Sequence, residues 1–315
     1  VWTAVEELKF DVMGAKRGPA IGSTRPSLVR PRTEMIAAVT VGHGREVLRF
    51  PVITAVLEGV QRAAKSRGLR LMIDEIADPS NPGDLITRRQ VDGVVAFILG
   101  DAPVSGLTQI AQAVPLVWVM GSHSGPLEVD HVTADGAAIG HLAFNYLHDQ
   151  KCEQIAFVAR NPGWRFVRQR SVGFVAAATE KRAAVSQFLV TSDPILADSY
   201  GKHVVAAPTY DAIAEAVVNA SPRLNGLFVE TDREAAALYP LLTQRGMQPG
   251  RDVTIISCDN ERVILSAMQP PPMSIDLQTD EIGRHAVERL LQRMHDRYSL
   301  PIRIQVTPKL AEPGA

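Results

Sequence analysis

Cysteine is nearly missing from this 315-residue chain: Cys152 and Cys258 are the only two, far apart and without metal-ligand spacing. That excludes a disulfide framework and a zinc site, suits a reducing compartment, and leaves both expected as buried thiols. Neither sign of charge dominates. The 33 Lys and Arg stand against 34 Asp and Glu, a net charge of −1, so no global field favours nucleic acid and any DNA contact must be local. No apolar run reaches the ~20 residues that a bilayer span requires, and the opening VWTAVEELKF is charged and amphipathic where a signal peptide is apolar. The expected location is the cytoplasm, with no membrane partner. Catalytic signatures are missing too: there is no GxSxG, no HExxH and no P-loop, and Gly42-His43-Gly44 lacks the GxGxxG continuation. No enzyme activity, metal or cofactor is expected.

What is present is an α/β rhythm. At 46% hydrophobic and 21% charged, the chain is long enough for two domains of roughly 150 residues. Apolar strand patterns at 35–41, 69–73, 93–99 and 115–120 alternate with helical patterns at 51–65, 84–89 and 104–112. A second alternating set follows, with strands at 155–159, 185–190, 226–229 and 253–258, between helices at 136–148, after 170, at 210–219 and at 232–245. This is the pattern of parallel βαβ units with both sheet faces covered. Residues 11–33 contrast with it: Lys16, Arg17, Arg25, Arg30 and Arg32 and three prolines, with no carboxylate between Asp11 and Glu34, read as an extended basic linker. The proline-rich segment 270–280 reads as a rigid crossover, followed by a helix at 281–295 and a last strand at 302–306.

The stretch 154–178, QIAFVARNPGWRFVRQRSVGFVAAA, reads as strand, loop and helix, the loop holding Asn161, Pro162 and Gly163. In open α/β sheets, ligands bind beyond the carboxyl ends of the strands, and Trp164, Arg165, Phe166, Arg168 and Arg170 gather there. Near a helix start, the positive charge of Arg170 opposes the macrodipole, so a facing carboxylate or polar ligand is expected.

Taken together, VWTAVEELKF, VDGVVAF, PLVWVMG, VTADGAAIGHLAFNYL, RQRSVGF, VETDREA, VTIISCDN and DEIGRHAVERLL resemble, in order, segments of the lactose-repressor/galactose-repressor family of bacterial transcription regulators. The resemblance covers nearly the whole chain. It implies a periplasmic-binding-protein type I fold of two α/β subdomains, carried behind a helical DNA-binding headpiece and a hinge. It also implies a homodimer that binds operator DNA and holds a small effector, a sugar or sugar derivative, between the subdomains. The implied divisions are 1–10 for the end of the headpiece, 11–34 for the hinge, 35–131 with 278–298 for the first subdomain, and 132–277 with 299–310 for the second. The first two headpiece helices are not in this sequence, and KRGPA replaces the usual hinge helix. Lys16 and Arg17 read either as a minor-groove hook or as part of a solvated linker. A stand-alone sugar-binding protein of the transport type is the alternative.

For the effector, the resemblance carries over Arg170 and Asp259, an Arg fork and a carboxylate suited to vicinal hydroxyls, with a structural salt bridge as the plain alternative. Trp164 and Phe166 read as stacking surfaces or as core. Thr231 stands where many members have asparagine, which implies a shifted effector preference. Phe50 and His131 fall at pocket-facing positions, although His131 reads equally as a satisfied interdomain histidine. Asp135 reads as a ligand group or as a helix N-cap. His43 and Arg49, after the first strand, complete the candidates.

Overall fold

A computed structural model describes residues 33–42, 44–78, 83–88, 90–98, 104–121 and 128–311. The expected headpiece segment, Lys16, Arg17, His43 and nearly all of the expected linker lie outside them. The chain runs β1 (Met35–Val41), a 3-10 turn (Gly44–Arg49), α1 (Pro51–Ser66), β2 (Arg70–Ile76), α2 (Gly83–Thr87), β3 (Gly93–Phe97), α3 (Val104–Ala113), β4 (Leu116–Val119), β5 (Asp130–Ala134) and α4 (Gly136–Asp149). It continues through β6 (Ile155–Ala159), α5 (Arg165–Glu180), β7 (Val185–Val190), α6 (Pro194–Asp198), β8 (Val204–Ala207), α7 (Tyr210–Val218), β9 (Gly226–Val229) and α8 (Asp232–Gln244). The last elements are β10 (Thr254–Cys258), α9 (Arg262–Ser266), β11 (Met273–Asp276), α10 (Thr279–His295), β12 (Arg303–Val306) and β13 (Lys309–Leu310).

Among the described residues, these strands make two sheets. One has six strands in the order β12-β5-β4-β3-β1-β2, and the other seven in the order β13-β11-β10-β9-β6-β7-β8. Only β13 pairs antiparallel, against β11. The inner strands β3, β4, β6 and β9 are buried at every residue, as strands covered by helices on both faces must be. At the sheet edges β2 and β8 are mostly half-buried or exposed.

Local chemistry sets the helix starts. α1 opens on Pro51, whose missing N–H is harmless in a first turn, and buries Ile53, Val56, Val60 and Ala64 on one stripe. Asp135 caps α4 by accepting from the Ala138 backbone N–H at 3.0 Å, and Thr231 caps α8 through the Glu234 N–H at 3.2 Å. In the second lobe, α4 and α5 cross at glycine: a Cβ on Gly140 would collide with the Arg170 carbonyl and the Phe174 nitrogen, and one on Gly173 with the Ala137 carbonyl.

Sheet membership moves two of the expected boundaries. β5 extends the first lobe to Ala134, and β12 pairs with β5 from Arg303↔His131 to Val306↔Ala134, so the last long strand belongs to the first lobe and not to the second. An apolar strand pattern does not say which sheet will receive it. The first lobe is therefore 35–134 with 279–306, the second 136–276 with 309–310, and the chain crosses between them three times. The proline-rich segment also departs from a plain crossover: after Pro272 it forms β11, paired with β10 from Ile256↔Met273 to Cys258↔Ile275. The stretch around Arg168 is helix from Arg165 onward, so the basic and aromatic cluster rides on the first turns of α5 and not on a loop.

Candidate functional site

A cavity of about 130 Å³ lies where the carboxyl ends of both sheets face each other. From the first lobe come Phe50 and Val52 at the start of α1, Met120 and Gly121 after β4, and Thr133 near the end of β5. From the second come Asn161 after β6, Trp164, Phe166 and Arg170 at the start of α5, Glu230 and Thr231 after β9, and Asp259 after β10. This is the strand edge where doubly wound sheets bind ligands.

Arg170 is the polar centre. Its side chain is 6% exposed, and Nη2 lies 3.2 Å from Asp259 Oδ1, whose side chain is 8% exposed. Nη1 donates to the Glu230 carbonyl, and the guanidinium carbon sits 5.0 Å from the centroid of the Phe166 ring. Burial pushes the Asp259 carboxyl up, against the pull of Arg170. Asp259 and Asn260 both have positive φ, 110° and 53°. Such geometry costs on the order of 1–3 kcal/mol per residue and persists only where the surroundings hold it. Here Asp259 N–H donates to the Ile275 carbonyl at 2.9 Å and Asn260 N–H to Ser274 Oγ at 3.0 Å. The turn aims the carboxylate at Arg170.

Beneath this turn Asp232 is fully buried, accepting from Ser257 Oγ at 2.5 Å, from Ser274 Oγ at 2.8 Å and from the Glu261 N–H at 2.7 Å. Burial and the nearby Asp259 charge push it up to about 7. Glu230, also fully buried, accepts from Asn161 Nδ2 at 2.8 Å and is pushed up to about 7 by burial and by Glu234. Trp164 and Phe166 form one wall with ring centroids 5.4 Å apart, and Trp164 remains 37% exposed at its edge. Across the cavity, Arg233 of the second lobe stands over Phe50 of the first, 4.9 Å from the ring centroid.

Of the eight candidate effector residues, six line this cavity: Phe50, Trp164, Phe166, Arg170, Thr231 and Asp259. Two do not. His131 is buried in β5, stacked on Trp118 at 4.1 Å, with Nε2 2.8 Å from the Met120 carbonyl. Asp135 uses its carboxylate as the α4 cap. Arg49 is exposed and stands outside the lining. The lining adds Gln169, Arg233, Glu234 and Glu261, together with Asn161 and Glu230, none of them expected from the sequence. Their shared signal is position: all follow strands β6, β9 or β10 within a few residues, except Gln169, one turn into α5. Both cysteines are buried free thiols. No helix among the described residues is long and apolar enough to cross a membrane, and no cluster of three metal-ligating side chains occurs among them.

Residues 144–312 match the periplasmic binding protein-like domain family. The chain is 26% identical over 300 residues to the ribose operon repressor of Escherichia coli (strain K12), a match that covers 92% of this chain and 86% of that protein. The solved structure of a transcriptional regulator CelR–cellobiose complex is similar with a TM-score of 0.70 and 20% identity, covering 99% of this chain and 88% of that one. A LacI family transcriptional regulator from Enterococcus faecium with bound ribose has a TM-score of 0.66 and 18% identity, covering 88% of this chain and 97% of that one. At these identities, the two structural likenesses concern the fold.

Proposed function

Because this chain belongs to the periplasmic binding protein-like family, we propose that it is an effector-responsive transcriptional regulator whose cleft binds a sugar or sugar derivative. One observation carries the effector reading: a buried Arg170–Asp259 pair, 3.2 Å apart, opens onto a cavity walled by Trp164, Phe166 and Phe50. A guanidinium fork presents only donors and a carboxylate only acceptors, so together they match vicinal hydroxyls, while the rings cover an apolar sugar face. Likeness to the ribose operon repressor over 92% of the chain favours a regulator over a stand-alone transport-type binding protein.

In this reading the regulator works in the cytoplasm as a homodimer, and reaches operator DNA through a headpiece joined to the basic segment that holds Lys16 and Arg17. The effector binds both lobes at once and so favours one lobe arrangement. Its differential affinity for the two arrangements is what biases DNA binding.

Calorimetric titration against pentoses, hexoses and disaccharides tests the site. Arg170→Ala and Asp259→Asn should each weaken the sugar that binds by roughly 10- to 100-fold, the value of a hydrogen bond to a charged group. Melting should stay cooperative in both variants. Unchanged affinity in both would remove the pair from the effector site.

A further inference from the structure

The cavity wall is more negative than a neutral sugar needs. Glu230, Glu234, Asp259 and Glu261 line it against Arg170 and Arg233. With all six groups ionised, four carboxylates against two guanidiniums leave a net charge of −2. Asp259 is matched by Arg170 at 3.2 Å, and Glu234 is reached from outside the cavity by Arg160 at 3.4 Å. Glu230 accepts from the uncharged amides of Asn161, the one backbone N–H lying 3.2 and 3.3 Å from its two oxygens and Nδ2 2.8 Å away, and no salt bridge among the described residues matches it as Arg170 matches Asp259.

Glu261 is the least satisfied of the four. It is 6% exposed and lines the cavity together with Phe50 and Val52 of the first lobe, yet its Oε2 has no hydrogen-bond partner. The nearest cation, Arg233 Nε, stays 3.9 Å away, while the Arg233 guanidinium stands over the Phe50 ring. A buried carboxylate oxygen without a donor is costly unless something supplies the missing hydrogen bond and charge. Burial pushes the Glu230 and Glu261 carboxyls up to about 7, and the charges of Arg170 and Arg233 offset that only in part. A sugar hydroxyl would give Glu261 a donor but no charge. An ammonium group supplies both, with three donors on one centre.

Resting on the reading of the cleft as the effector site, we propose that the effector carries a protonated amine alongside its hydroxyls, as an amino sugar or aminopolyol does. The hydroxyls meet Arg170 and Asp259, and the ammonium meets Glu261 within the negative field of Glu230 and Glu234. Closure then carries a charge requirement, because Glu261 stands in the second lobe and shares the cavity with Phe50 and Val52 of the first.

The test is calorimetric titration of the full chain with matched probes: glucosamine against glucose, galactosamine against galactose, mannosamine against mannose, and 1-amino-1-deoxyribitol against ribitol. At least one amine should bind tenfold or more tightly than its hydroxyl partner, and acetylation of that amine should abolish the advantage. Glu261→Gln, which keeps the shape and removes the charge, should weaken the amine about tenfold and the hydroxyl partner less than twofold. If the hydroxyl member binds as tightly as the amine in every pair that binds, the amine proposal is overturned while the sugar-responsive reading stands. An amine preference that survives Glu261→Gln overturns the role of Glu261. Binding by no member of any pair overturns this proposal, and the sugar reading falls with it only if the pentoses, hexoses and disaccharides of the wider titration do not bind either.

Discussion

Glu230, Asp232 and Glu261 are carboxylic acids held away from water, and each is pushed up to about 7. Burial is the first cause for all three; the charge of Glu234 is the second for Glu230, and that of Asp259 for the other two. In the unfolded chain such groups titrate near 4. Between the two values the folded chain binds more protons, so stability falls as pH rises. Their contribution is fully present below about pH 4 and lost as pH passes through 7. The thermal midpoint of the ligand-free chain should therefore drop between pH 5.5 and 8, and Glu230→Gln should flatten part of that slope. A midpoint that holds level in thermal scans across this range would mean that water reaches these carboxyls. The same residues mark the limit of what the sequence discloses about the site. Arg170 and Asp259 are legible because a cation near a helix start calls for a carboxylate, and a strand ends on one. Glu230, Glu234 and Glu261 look like ordinary surface acids in the run VETDREA and in DNER, since the cavity they line is assembled from distant parts of the chain. His131 and Asp135 have the right chemistry for a ligand, but local partners, the Met120 carbonyl and the Ala138 N–H, already use it.

At the scale of elements, the site depends on how closely α5 approaches α4. Gly140 leaves room for the Arg170 carbonyl, and the obstruction a methyl would meet is backbone, which cannot rotate aside. Gly140→Ala gains up to about 1 kcal/mol of helix propensity but overpacks the crossing, typically by about 1–3 kcal/mol. The clash wins, because it requires a whole helix to move. The variant should melt lower than the parent and bind effector more weakly, since the helix that shifts is the one carrying Arg170; differential scanning fluorimetry and titration would check both. The strands buried on both faces are plain in the sequence, β6 and β9 to the residue, because their apolar runs are continuous; β7 is legible to the residue as well, although Ser186 and Gln187 interrupt its run. β8 and β11 are not. β8 has an edge strand's mixed exposure, and β11 follows three prolines that argue against a strand, although Met273–Asp276 lies beyond them and is free to pair. The short helices α6 and α9 are only five residues each, too brief for a periodic pattern.

At the scale of the whole molecule, one apolar cluster takes in Ile36, Val95 and Val119 of the first lobe and Phe157, Phe174 and Phe228 of the second. Two further clusters cover the other faces, around Trp118 and Ile110 in one lobe and around Leu227 and Leu238 in the other. Continuity of the central cluster, with three chain crossings beside it, couples the lobes. Scanning calorimetry should therefore record a single cooperative transition for residues 33–311, shifted upward as a unit by a bound effector. Two separable peaks would mean that the lobes melt independently and the shared cluster is weak.

The return of β12 to the first lobe, and of β13 to the second, has a consequence for ancestry. No single break in the chain, or in the gene that encodes it, releases either lobe whole, because each is assembled from two separated segments. Recombination that imported a new first lobe would have to exchange 35–134 and 279–306 together. The two walls of the cavity are thus inherited as a pair, and a change of effector must come by substitution within them rather than by exchange of one half.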